Sequence, residues 1–268
     1  MGKLVAALAM LWFVAAARAE PPFITDEAVT QGEGHWQLEL AGEHVHHKRN
    51  AQIDGATVSQ LRQIALASSV LTYGWSERLD LAVTLNALRT SVEQDGTLQN
   101  KASGISDTIL EAKWRFYDHD DTALAVKTSL SLPTGDENRG LGTGKASGGI
   151  NFILTHEAGP WVLMANAAFI LVRYKRAEDA QSGQSHLRRF SAAATYEVHE
   201  GWRLAAEIGQ RTNESKDDPF LPGRNGSYAM LGAIRSPSKD ADFSLGVRRA
   251  VSGGEYDWAF IAGATLRW

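Results

Sequence analysis

The chain of 268 residues contains no cysteine, which excludes a disulfide framework and every metal site built on thiolates. Its 27 basic residues face 31 acidic ones, so the formal net charge is −4 and no basic excess indicates nucleic acid as a partner. Beyond residue 19 no apolar run approaches the roughly 20 residues that a helical membrane span requires, and the mean hydropathy is −0.24. These features argue against a helical membrane protein.

The long apolar run that does exist lies at the N-terminus. It covers Leu4–Ala17, follows a positive Lys3, and ends at a small-x-small sequence, Ala17-Arg18-Ala19. These are the parts of a secretory signal peptide, so we expect residues 1–19 to be removed after export. The mature chain then begins at Glu20.

The last residues show how the rest of the chain is organised. Trp258, Phe260, Leu266 and Trp268 fall on one side of an alternating pattern, with small or polar residues on the other. A period of two is typical of a strand, and aromatic residues at both ends of about ten residues are typical of a strand that crosses a bilayer. The same alternation predicts twelve strands, at residues 34–46, 58–72, 79–87, 107–116, 124–132, 146–155, 161–174, 187–198, 202–212, 227–235, 242–249 and 256–268.

The connections between these strands alternate between long and short along most of the chain, starting with long connections at 47–57 and 89–106. Short turns at one end and long loops at the other are typical of outer-membrane barrels. The predicted fold is all-β: a transmembrane, antiparallel, up-and-down β-barrel of about 12 strands over residues 34–268. The alternative is a secreted β-sandwich, whose strands also alternate.

Four stretches support a family assignment. They are PPFITDEAVTQGEGHWQLEL at 21–40, LTYGWSERLDLAV at 71–83, GISDTILEAKWRFYD at 104–118 and SLPTGDENRGLGTG at 131–144. In this order the chain resembles the outer-membrane transporter family named for the meta-pathway of phenol degradation. The resemblance implies a barrel in the outer membrane of a Gram-negative bacterium that gives small molecules, including aromatic or hydrophobic compounds, passive or facilitated passage. It implies no catalytic residue and no cofactor.

The expected partners follow from this interpretation: outer-membrane lipid, a small-molecule solute, and the barrel-assembly machinery, which would bind the C-terminal strand. Two other functions stay open. One is a lipid-active, phospholipase-like enzyme, although no Ser and His are placed to form a triad. The other is a structural barrel without transport.

Charged residues at alternate positions are expected to line the lumen. They could form a plug of ion pairs or border a polar channel that prefers anions, and we favour mutual neutralisation because buried charges must be paired. The candidates are Glu39, Asp80, Asp107, Glu111, Lys113, Arg115, Lys127, Arg173, Arg189, Arg203, Glu207, Arg211, Arg235 and Arg267.

Aromatic residues near the strand ends are expected at the membrane interfaces, where their rings lie at the headgroup level. The candidates are Trp36, Trp114, Phe116, Trp202, Trp258, Phe260 and Trp268.

Two further features remain. His44 and His46 share one side of a strand, but without a third ligand a solvated loop rim is the better explanation than a metal site. Residues 20–33 contain Pro21, Pro22 and Gly32, which disfavour a strand. We interpret them as a periplasmic lead-in or a small plug, in which Phe23 and Ile24 enter the periplasmic opening and restrict it.

Overall fold

The computed structural model describes residues 22–268. The predicted signal peptide lies outside the described residues. The described part is built almost entirely of strands, with one short α-helix and one 3₁₀ turn in the connections. The elements are β1 Trp36–Ile53, β2 Ala56–Ser76, β3 Leu79–Gln94, β4 Thr97–Ile105, β5 Thr108–His119, β6 Thr122–Leu132, a 3₁₀ turn Glu137–Arg139, β7 Ser147–Ala158, β8 Trp161–Leu171, α1 Ala177–Ser182, β9 His186–His199, β10 Trp202–Thr212, β11 Asn225–Ser238, β12 Ala241–Ala250 and β13 Trp258–Arg267.

The sheet closes on itself because its first strand pairs with its last. β1 and β13 form an antiparallel ladder in which Leu40 lies opposite Ala264, and all other strand pairs are antiparallel as well. β4 and β5 follow each other along β3 and together fill one position in the sheet. The result is a closed antiparallel barrel of 12 strands, which confirms the predicted fold class.

The two ends of the barrel differ in their connections. At the end where Trp36 pairs with Trp268, which we call the turn end, the strands are joined by two-residue turns at 77–78, 120–121, 159–160, 200–201 and 239–240. At the opposite end, the loop end, longer connections cover 133–146, 172–185, 213–224 and 251–257. Among residues 22–268, no helix is long and apolar enough to cross a membrane.

Side-chain alternation gives the barrel an apolar outer face. In β13 Phe260 and Leu266 are exposed on the outside, as is Trp268 directly after the strand, while Ile261 and Thr265 are buried inside. The proposed interface aromatics Trp114, Phe116, Trp202 and Trp258 are also exposed on outward positions. Trp36 is partly exposed and packs on Tyr73, with ring centroids 4.6 Å apart.

Two of the predicted long loops are wrong, because both regions are strands. β1 continues to Ile53 and β3 to Gln94, and each turns back through a two-residue Asp-Gly sequence. Asp54 and Gly55 have φ of 51° and 81°, and Asp95 and Gly96 have 49° and 78°. Positive φ at both central residues is typical of the type I′ hairpin turn, which Asp-Gly favours.

These two hairpins extend the sheet at the loop end. β13 stops pairing with β1 at His46, and β5 stops pairing with β3 at Thr84. Beyond those points β1, β2, β3 and β4 continue as a four-stranded extension.

The outer face predicts how the barrel responds to a charge. Leu231, near the middle of β11, is 70% exposed on the outside, so Leu231→Arg should reduce the free energy of unfolding by about 2–4 kcal/mol when the barrel is folded in lipid vesicles. Urea titration in vesicles measures this. Leu98→Arg is the matched control, because Leu98 is 55% exposed on the hairpin extension. An equal loss for both variants would contradict a membrane position for β11.

Candidate functional site

The inner face of the barrel carries most of the charged residues that were expected there. Buried on it are Glu39, Asp80, Glu111, Lys127 and Glu207, and partly buried at inward-facing positions are Lys113, Arg115, Arg189, Arg203, Arg211 and Arg267. Asp107 is buried between β4 and β5, where it accepts hydrogen bonds from the backbone N–H groups of Gly135 and Thr143, both at 2.9 Å. Asp107 therefore holds the 133–146 connection in place.

Two of the expected lumen residues do not face the lumen. Arg173 lies beyond the end of β8 and is exposed, whereas its neighbours Val172 and Tyr174 are buried. Arg235 lies one position away from the inward-facing Ile234, and its guanidinium lies over the outward-facing Trp202 ring at 5.3 Å. In both cases the error is one of parity, because a shift of one residue along a strand exchanges the two faces.

Charges inside the barrel are joined in pairs between strands that are neighbours or next neighbours in the sheet. Asp242 on β12 binds Arg267 of β13 at 2.9 Å and Arg203 of β10 at 3.5 Å. Arg248 binds Glu43 in a buried pair between β12 and β1. Such pairing satisfies charges that would otherwise be costly to bury.

Residues 22–31, which we call the inserted segment, lie inside the barrel before β1 begins. The charged centre of the segment is Asp26, which is 6% exposed. Its carboxylate binds the Lys127 ammonium of β6 and accepts a hydrogen bond from Nδ2 of Asn151 on β7 at 3.1 Å. Lys127 also lies 3.7 Å from Glu111 of β5. One carboxylate of the segment thus ties it to the inner wall.

Further hydrogen bonds attach the inserted segment to strands around the barrel. They join backbone or hydroxyl groups of the segment to polar side chains of the wall: Ile24 N donates to Glu207 Oε2 at 2.8 Å, Thr25 Oγ1 to Ser191 Oγ at 2.8 Å, Ala28 N to Thr155 Oγ1 at 2.9 Å and Gln31 N to Asp80 Oδ1 at 3.1 Å. From the wall, Lys113 Nζ donates to the Val29 carbonyl. The backbone polar groups of a buried segment need such partners.

The segment also has an apolar anchor. Phe23 is 4% exposed and belongs to a cluster inside the barrel that includes Leu66, Met164, Met230 and Ile261. A cavity of about 30 Å³ remains beside the segment, which is room for about one water molecule. The cavity is lined by Ile24, Glu111, Lys127, Ser129, Gly149, Ile150, Asn151, Asn166, Ala168, Ile170 and Arg189.

The connections at the loop end bring further charges to the mouth of the barrel. Burial and the nearby Glu255 raise the pKa of Glu214 to about 8, although Arg211 and Arg189 act in the opposite direction. Burial also opposes ionisation of Glu255, but its ion pair with Arg211 keeps the pKa of Glu255 below the usual range. The two carboxyls of the mouth therefore differ in charge at neutral pH.

Within 22–268, no three or more side chains of the metal-binding types lie close enough together to hold an ion. His44 is exposed and, with His46, lies at outward-facing positions of β1, opposite Phe260 and Trp258 of β13.

The raised pKa of Glu214 predicts a pH dependence. The folded state keeps this proton up to about pH 8, whereas the ordinary carboxyl pKa is 4.5, so the folded state loses stability as pH rises through that window. Urea unfolding in detergent at pH 5, 7 and 9 should show this loss in the wild type and a smaller one in Glu214→Gln. Glu137→Gln is the control, because the hydrogen bond from Lys175 lowers the pKa of Glu137 instead of raising it. Identical pH profiles for the wild type and Glu214→Gln would contradict the assignment.

Solved structures of similar shape support the architecture. The COG4313 outer membrane channel from Pseudomonas putida F1 superimposes with a TM-score of 0.72 at 14% identity, covering 94% of this chain and 100% of that chain. The NanC porin gives a TM-score of 0.52 at 9% identity, covering 85% of this chain and 98% of the porin. The β domain of the Bordetella autotransporter BrkA gives 0.52 at 14% identity, covering 88% and 100%. At these identities the likeness concerns the fold.

A comparison with curated proteins gave no significant match. A family model, by contrast, matches residues 22–268, the whole of the described chain. The resemblance found in the sequence motifs is thereby confirmed: the chain belongs to the family described as "Putative MetA-pathway of phenol degradation".

Proposed function

We propose that this protein is an outer-membrane channel that gives small molecules, including aromatic or hydrophobic compounds, passive or facilitated passage, and that the inserted segment restricts this passage. The turn end then faces the periplasm and the loop end the exterior, as in other barrels of this kind.

The outer face supports the membrane location. Large apolar side chains such as Ile208, Leu231 and Leu245 are 65–70% exposed on it, and in water such a surface would drive aggregation. The closed sheet leaves no unpaired strand at the level of the β1–β13 ladder, which hydrocarbon requires because it offers backbone groups no water.

The observation that carries the proposal is the inserted segment. A barrel whose interior served only as a core would be filled by side chains of its own strands. Here a separate stretch of chain takes up the interior and is held by contacts to β3, β5, β6, β7, β9 and β10. A separate occupant of this kind is typical of barrels with a plugged lumen.

Two features support aromatic or hydrophobic solutes. The family description refers to phenol degradation, and the structurally similar Pseudomonas protein is described as an outer membrane channel. Inside this barrel the cluster around Phe23, with Leu66, Met230 and Ile261, would offer apolar contacts to such a solute once the segment moves.

The alternative of a lipid-active enzyme has little support in the geometry. A hydroxyl and an imidazole do meet on the outer face near the turn end, where Thr122 Oγ1 lies 2.9 Å from Nδ1 of His156. Within residues 22–268 no carboxylate forms an ion pair with His156 to orient that ring, and activated nucleophiles depend on such orientation. Turnover of phospholipid by the purified barrel would overturn this assignment.

Removing the inserted segment should open the barrel. In planar lipid bilayers we expect deletion of residues 22–28 to raise the single-channel conductance severalfold, because the deletion removes the Phe23 and Asp26 anchors. Phe23→Ala should raise it less. Val29→Ala is the control, since Val29 is 40% exposed and contributes little to the anchoring. Unchanged conductance in the deletion variant would eliminate the segment as the restriction.

Solute passage separates a channel from a structural barrel. Liposomes containing the deletion variant should swell in solutions of small sugars faster than liposomes without protein, because the freed bore admits water and small solutes. Swelling at the protein-free rate, together with absent conductance, would favour the structural barrel.

A further inference from the structure

Four cations share one row of the inner face. Following the strand register from β5 to β10, Lys113 lies opposite Lys127, and Arg189 lies opposite Arg211. Asn151 and Ala168 connect the two pairs through β7 and β8. We call Lys113, Lys127, Arg189 and Arg211 the cationic row. Between Lys113 and Arg211 the row contains no acidic residue.

The cationic row runs from the middle of the barrel wall to the loop end. Lys113 lies near the middle of β5, about half a strand from the turn end, whereas Arg211 is next to Thr212, the last residue of β10 at the loop end. Strands of such barrels are tilted, so a row that follows the register climbs along the bore. A solute that passes through the bore would therefore move beside these side chains.

Three members of the row have carboxylates as partners. Lys113 lies 3.6 Å from Asp80, Lys127 binds Asp26, and Arg211 binds Glu255. Two of these partners are not part of the barrel strands, because Asp26 belongs to the inserted segment and Glu255 to the 251–257 connection.

Arg189 differs from the other three. Its Nε is buried and has no hydrogen-bond partner among the described residues, and within residues 22–268 Arg189 has no ion pair closer than 4.0 Å, so Glu207 and Glu214 act on it only at longer range. Its side chain lines the cavity beside the inserted segment, together with Lys127, Asn151 and Asn166. A partly buried guanidinium with an unpaired Nε and no close carboxylate can gain from an anion, and a guanidinium matches a carboxylate in geometry and charge.

The inserted segment already places one carboxylate on the cationic row. The carboxylate of Asp26 sits at the middle of the row, on Lys127 and Asn151. The apolar cluster that receives Phe23 lies in the same interior and includes Leu66, Leu88 and Met230. The bore thus combines a cationic track with apolar surface, which matches a molecule that has an apolar body and one carboxylate.

We propose that the bore binds and conducts small organic carboxylates, aromatic carboxylates above all, along the cationic row, with Arg189 as the free binding position and Asp26 as the internal competitor of the solute. This inference rests on the proposed channel function and specifies its substrate class. Displacement of Asp26 by a solute carboxylate exchanges one anion for another on Lys127, so the wall charge stays compensated during passage.

Ion selectivity in planar bilayers tests the inference. With potassium benzoate at a higher concentration on one side of the bilayer than on the other, the reversal potential gives the permeability of benzoate relative to potassium. The full chain and the variant that lacks residues 22–28 are measured in parallel, so that a conducting form is available. We expect benzoate to be more permeant than potassium, and Arg189→Gln to lower this ratio about threefold.

Three further variants make the result specific. Arg189→Lys should retain the preference because it keeps the charge, and Arg235→Gln should not change it because Arg235 faces outward at the Trp202 ring. Asp26→Asn should raise benzoate permeability, since it removes the competing carboxylate. Cation preference in a conducting barrel, or equal effects of Arg189→Gln and Arg235→Gln, would overturn the inference and leave the channel intact. Absence of any conductance, with or without residues 22–28, would overturn both.

Discussion

The structure depends on the closure of one hydrogen-bond ladder. A strand in hydrocarbon has no water to satisfy its backbone, so each strand must pair on both sides, and the first strand must meet the last. The β1–β13 ladder accomplishes this over Gln37 to His46. Within the closed part of the sheet, every strand residue faces either the membrane or the bore, and the alternation of the sequence follows from this division.

That division explains how much of the fold could be predicted. A period of two with apolar outer residues predicted the transmembrane strands and the outward position of the aromatic side chains. This worked because every strand in the bilayer must present apolar residues to the lipid. The prediction was wrong outside the bilayer, where strands are not required to carry apolar residues on their outer face. Beyond the bilayer the β1–β2 and β3–β4 hairpins carry polar residues on both faces among a few apolar ones, so the period is weak, although Asp-Gly at 54–55 and 95–96 is a hairpin signal that the sequence does contain.

The candidate site was less predictable for a related reason. Sequence parity places a side chain inside the barrel but does not name its partner, and it fails where the face is misjudged by one residue, as at Arg173 and Arg235. Three of the residues that hold the inserted segment, Ser191, Asn151 and Thr155, carry no charge. The charge pattern of the sequence therefore did not predict them. Small polar residues on an otherwise charged inner face were the available signal, since a backbone inside the barrel needs such groups.

The wall itself determines how far the inserted segment reaches. Gly232 and Gly246 lie opposite each other on β11 and β12, and Pro22 rests against both: a methyl group added at Gly246 would lie 2.7 Å from Pro22 Cβ. Because neither glycine has a side chain, the wall leaves a recess for Pro22 at the start of the inserted segment. A single alanine in that recess would compete with the proline for the same volume, so occupancy of the bore is set by sterics on one side of the barrel and by charge on the other.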